Sequence, residues 1–119
     1  MLDQQKINEL RQQKIAPQKL FINGGWQAAI SGQTIDIISP INGQVITTTA
    51  DAGAEDVDRA VVAARAAFEK GSWANMAPAE RKKIMLKAAD LIEKNALELA
   101  VLGVRDNGTE IGEKWEAMK

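Results

Sequence analysis

The hydrophobic period changes once along this chain, near Ala54, and that change limits the fold more than any other feature. Before it, short β-branched runs alternate with turn residues. After it, apolar residues recur every three or four positions. Strands therefore precede helices, and 119 residues make roughly one small domain.

The strand section covers residues 19–50, behind a polar lead. Leu20-Phe21-Ile22 is a β-prone run, and Asn23-Gly24 before Gly25-Trp26 is a hairpin turn signal, because both turn residues tolerate positive φ. Thr34–Ile38 and Val45–Thr49 form a second hairpin across Ser39-Pro40-Ile41-Asn42-Gly43. In the lead, Ile7 and Leu10 lie one turn apart on a thin apolar stripe. A helix over residues 2–14 is expected to fray or to need a partner.

The helical section opens with Val57, Ala60, Val61, Ala64 and Phe68 on one face, acids in the first turn and Gly71 as the stop. Pro78 starts a second helix with the stripe Ile84, Ala88, Leu91 and Ile92. Asn95 and Glu98 read as a capping box for a third, carrying Leu97, Ala100, Val101 and Val104 and ending at Asp106-Asn107-Gly108. Ile111, Trp115 and Met118 suggest a fourth. The expected helices span about 55–70, 78–94 and 96–106.

Composition narrows the chemistry. The chain holds neither cysteine nor histidine, so a thiol nucleophile, a disulfide, the commonest general base and the commonest transition-metal ligands are all excluded. A net charge of −1 argues against a nucleic-acid binder. No apolar run of about 18 residues is present and the polar N-terminus has no signal-peptide core, which gives no membrane span and a cytoplasmic expectation.

The remaining candidates have structural explanations. Glu55, Asp56 and Asp58 suit a helix N-terminus better than a metal site. Arg81-Lys82-Lys83 reads as a solvated face, and Asn23-Gly24-Gly25 as a turn without the spacing of a phosphate loop. Trp26, Trp73 and Trp115 read as packing residues. Asp106 is harder to dismiss. An acid at a helix C-terminus opposes the dipole, and a bound cation or a nearby base would offset it.

Five segments together resemble the N-terminal part of the aldehyde dehydrogenases: LFINGGW at 20–26, TIDIISP at 34–40 followed by INGQVI, EDVDRAVVAARAAFEKGSW at 55–73, MAPAERKKIMLKAADLIEKNALELA at 76–100, and DNG at 106–108. The resemblance runs from about residue 19 to about residue 112 and fades over Glu113–Lys119, which either continue the family sequence or follow a frameshift. The lead and the DNG ending lean toward the branch acting on γ-glutamyl-γ-aminobutyraldehyde and other aminoaldehydes.

The resemblance implies an α/β fragment: N-terminal antiparallel β-hairpins followed by three to four α-helices, with residues 1–18 as a polar lead and residues 19–119 as an incomplete domain. It implies oxidation of an aldehyde to an acid with NAD or NADP in the full-length family. There a cysteine forms a thiohemiacetal, hydride passes to the nicotinamide, and a glutamate activates water. An asparagine and a backbone amide hold the oxyanion. None of those catalytic or cofactor-binding positions falls in this chain, which is expected to be inactive alone and to associate with the remainder of an aldehyde dehydrogenase or with itself. The alternative is a non-catalytic interaction module or remnant that associates with other subunits. One site carries over in part: a monovalent-cation site with Asp106 and a main-chain oxygen at Ile37 or Ile38, incomplete without a ligand further along the family chain.

Overall fold

A computed structural model describes residues 3–111. The elements in chain order are α1 (Gln4–Gln12), β1 (Leu20–Ile22), β2 (Gly25–Gln27), β3 (Thr34–Ile38), β4 (Val45–Ala50), α2 (Ala54–Lys70), α3 (Ser72–Asn75), α4 (Pro78–Lys94) and α5 (Ala96–Asn107). β1–β2 and β3–β4 are two separate antiparallel hairpins. The expected architecture is therefore present. Trp115 and Met118 of the suggested fourth helix lie outside the described residues. The chain divides into two compact units.

Among the described residues, the first unit comprises 3–15, 37–46 and 85–111. Its core is the cluster Ile7, Leu10 and Val101, with Leu97 and Ile111 partly buried against it. The lead thus forms a helix with α5 as its partner. Asp3 caps α1 by accepting from the N–H groups of Gln5 at 3.0 Å and Lys6 at 3.1 Å. At the other end, Arg105 Nη1 donates to the carbonyls of Leu10 at 3.1 Å and Gln13 at 2.8 Å. The Leu10 carbonyl also accepts from the Gln13 N–H at 3.3 Å, so the α5 arginine reinforces the capped end of α1. The thin stripe of Ile7 and Leu10 suffices because α5 supplies the other half of the core.

Gly108 ends α5 in the left-handed conformation, with φ 74°. A Cβ there would also lie 3.3 Å from Pro40 Cγ, so the end of α5 sits against the turn that follows β3. Asn95 does not form the expected capping box. Its backbone is at φ −104°, ψ 15°, away from the extended conformation of an N-cap, and its Nδ2 donates to the Leu91 carbonyl at 2.7 Å. The Asn95 side chain closes α4, while its carbonyl accepts from the Leu99 N–H at 3.0 Å as the first bond of α5.

The second unit comprises Ala16–Asp36 and Thr47–Ile84. The β1–β2 hairpin turns through Asn23 (φ 52°) and Gly24 (φ 77°), as the Asn-Gly pair requires. Phe21 faces Trp26 across the strands, ring centroids 4.9 Å apart. β1 packs on α2. Gln18 exchanges backbone hydrogen bonds with Thr48 at 2.8 Å and Ala50 at 3.0 Å, a short parallel bridge that the sequence did not announce. α2 ends as the backbone turns extended at Gly71, φ −71° and ψ 157°, where an added Cβ would collide with the Ala67 carbonyl oxygen. The four-residue α3 then leads toward Pro78.

Candidate functional site

Asp56 is the most constrained polar side chain described. Only 1% exposed, it sits in the first turn of α2. Its carboxylate accepts from the Gly53 N–H at 3.1 Å, closing the start of α2, and from the Ile30 N–H at 3.2 Å, across 26 residues of sequence. Arg59 Nη1 lies 3.7 Å from Asp56 Oδ1, and Arg59 also donates to Gln27 Oε1 on β2. A buried carboxylate is tolerated only when hydrogen-bonded and paired, and here both conditions hold. Asp56 is therefore a staple between α2, β2 and the following loop. The sequence signals only its helix-dipole role; a tertiary acceptor one turn into a helix leaves no local signature.

Glu55 and Asp58 are exposed and do not join it. Among the described residues, no group of three or more Asp, Glu, His or Cys side chains is placed to hold a metal ion. Lys83 pairs with Glu80 at 2.7 Å on an exposed face, as a solvated basic run should. Beside the Asn23-Gly24 turn lies a cavity of about 330 Å³, walled by Phe21 and by Ala60, Ala63, Ala64 and Ala67 of α2. It presents no basic group, so these residues do not fit a nucleotide diphosphate. Trp26 packs on Phe21, and Trp73 in α3 is half exposed; Trp115 lies outside the described residues.

The residues expected to hold a cation occupy the first unit. Ile37 is half-buried near the end of β3, Ile38 is exposed, and Asp106 is exposed in the last turn of α5. The contact of Gly108 with Pro40 brings the last turn of α5 near the end of β3.

The open apolar surface is the other conspicuous feature. On α2, Val57, Val61, Val62 and Phe68 are exposed, Phe68 by 74%; on α4, Ile84, Met85, Leu86, Leu91 and Ile92 are exposed. No residue of α4 is buried. Helices with apolar stripes normally bury them against another layer.

Residues 26–119 match the sequence model of the aldehyde dehydrogenase family. The chain belongs to this family. The match continues through Lys119, so the expected fading over Glu113–Lys119 does not occur. As an aldehyde dehydrogenase segment, the chain is 51% identical over 90 residues to aldehyde dehydrogenase 1 of Tanacetum cinerariifolium, covering 76% of this chain and 18% of the relative. Two solved aldehyde dehydrogenases superpose on it. The P. syringae indole-3-acetaldehyde dehydrogenase in complex with NAD+ and IAA gives a TM-score of 0.87 at 39% identity, over 97% of this chain and 23% of that one. The γ-glutamyl-γ-aminobutyraldehyde dehydrogenase of Burkholderia cenocepacia gives 0.87 at 36% identity, over 96% and 23%. The chain thus spans about a fifth of the length of the curated relatives it matches, and corresponds to the family's N-terminal segment.

Proposed function

We propose that this chain serves as the N-terminal structural segment of an NAD(P)-dependent aldehyde dehydrogenase, which oxidises an aldehyde to a carboxylic acid. The observation that carries this reading is the pairing of family membership over residues 26–119 with a chain that holds no cysteine. The nucleophile the family uses must then come from elsewhere in the family chain, and the 119 residues alone are catalytically silent. The NAD+ bound in the solved P. syringae relative supports a nicotinamide cofactor for the whole protein. The chain's own residues supply scaffold: α1 completes α5, and the Asp56 staple fixes α2 against β2.

The open faces of α2 and α4 support a partner of apolar character, the remainder of the family chain or, failing that, a second copy. A monovalent cation between Asp106 and the carbonyl of Ile37 or Ile38 is part of the same proposal. It is supported by the meeting of α5 and the β3 turn at Gly108 and Pro40, and by the unfavourable setting of an acid at a helix C-terminus. A cytoplasmic setting and the aminoaldehyde branch complete the reading. The second draws on the lead, the DNG ending and the Burkholderia likeness.

Two constructions test it. Purified chain with NAD or NADP and a panel of aldehydes should show no reduced-nicotinamide absorbance. Grafted in place of the matching segment of the Burkholderia enzyme, residues 26–119 should yield an active chimera. Activity of the chain alone, or a folded but inactive chimera, would reject the proposal. The interaction-module reading rests on no observation of its own.

A further inference from the structure

We propose that the first unit carries a binding site for an amphipathic monocarboxylate, independent of the aldehyde dehydrogenase reaction. Two adjoining cavities, of about 250 and 480 Å³, share Arg11, Ile41 and Arg105 as lining. The larger falls within the range of about 300–1,000 Å³ usual for small-molecule pockets.

The smaller cavity is a donor-rich end. Ser39 Oγ already accepts from the Ile41 N–H at 3.2 Å, and Asn42 Oδ1 from the Gln44 N–H at 3.0 Å. Those two acceptors are engaged, while the side-chain amide donors of Asn42 and Gln44 make no hydrogen bond among the described residues. Arg105 spends Nη1 on the Leu10 and Gln13 carbonyls, which fixes the guanidinium plane and leaves its Nε and Nη2 donors. Arg11 forms no ion pair among the described residues. No carboxylate lines this cavity. Two guanidiniums, one of them already oriented, call for an anion, and the planar fork of arginine favours a carboxylate.

The larger cavity is an apolar end. Ile7, Val101, Val104 and Ile111 line it, with Glu110 as its single acid. That carboxylate disfavours a second anionic group, so the ligand has one charged head and an apolar body. Arg11, Ile41 and Arg105 line both cavities, so the head and body of one ligand would meet beside these residues.

The test is an NMR titration of the isotope-labelled chain with octanoate, beside octanol and inorganic sulfate. Saturable shifts of the Gln44, Val104 and Thr109 amides are expected with octanoate, at least about tenfold weaker with either control. Arg11→Gln, which removes no side-chain hydrogen bond among the described residues, should weaken octanoate about tenfold and leave octanol unchanged. Arg105→Lys keeps the charge and loses the fork; it should also weaken octanoate, with the α1 amides reporting that the helix remains docked. The proposal fails if octanoate gives no saturable shift at those amides, if octanol or sulfate binds as tightly, or if Arg11→Gln has no effect. Shifts confined to the open face of α2 are non-specific and count as failure.

Discussion

The two units solve the same problem in opposite ways. In the first, α5 is covered from within the chain: Ile7 and Leu10 of the lead close over Val101, and Arg105 ties the cover down. In the second, α2 is held by a carboxylate. Asp56 joins it to the Ile30 and Gly53 backbone, while Val57, Val61 and Phe68 stay open to solvent. Apolar burial is non-directional and cumulative, whereas a buried hydrogen-bonded acid fixes geometry without removing much apolar surface from water. The first unit therefore has a core of its own. The second leaves the apolar face of α2 uncovered by the described residues, as Met85, Leu86, Leu91 and Ile92 of α4 are left in the first.

Substitutions separate the two strategies. The largest effect is expected from Asp56→Ala. It leaves the Ile30 and Gly53 N–H groups without their acceptor and Arg59 without its partner, a loss of about 3 kcal/mol. Hydrogen exchange should show the Ile30 amide and the first turn of α2 losing protection while α5 keeps its own. Uniform loss across both units would show that the staple serves the whole chain.

Leu10→Ala comes next. It removes a core side chain that is 9% exposed, at a cost of about 2 kcal/mol, the low end for such truncations. Exchange should rise through α1 and at Val101, and α2 should be unaffected. Gly71→Ala is expected to cost about 1.5 kcal/mol, since its Cβ would collide with the Ala67 carbonyl and shift the end of α2. Denaturant titration measures it, and a neutral result would mean that the helix end relaxes freely. The smallest effect, within about 0.5 kcal/mol, is expected from Lys82→Ala on the solvated face of α4. A larger loss in the same titration would reveal a contact for that face.

How much of this was legible in the sequence depends on whether the signal is local. Asn23-Gly24, Gly71, Pro78 and Gly108 each act through their own backbone, and the hairpin and helix limits they predict agree with the structure to within a residue or two. Asn95 and Glu98 matched a local pattern and misled, because the Leu91 carbonyl one turn back competes for the same side chain. The docking of α1 was illegible for a different reason. Two apolar residues are too few to declare a stable helix, and their partner Val101 lies some 90 positions away. Asp56 showed its helix-dipole role but not its bond to Ile30, which depends on chain reversal rather than spacing. For the cation candidates, the sequence placed Asp106 at a helix end and Ile37 and Ile38 on a strand. Only the fold brings the end of that helix to the turn after that strand.

The central claim is that α2 and α4 present apolar faces made for a partner layer absent from the described residues. Titrating the purified chain with a fluorescent hydrophobic dye tests it most directly. A contiguous open apolar patch beyond a few hundred Å² is unusual for a stable monomer. Saturable fluorescence enhancement is expected, falling when Val61→Ser and Phe68→Ser are introduced together on α2, while the α1–α5 amides keep their exchange protection. A chain that binds no dye and stays monomeric at high concentration, with a single sharp thermal transition, would be a self-sufficient domain and would contradict the account.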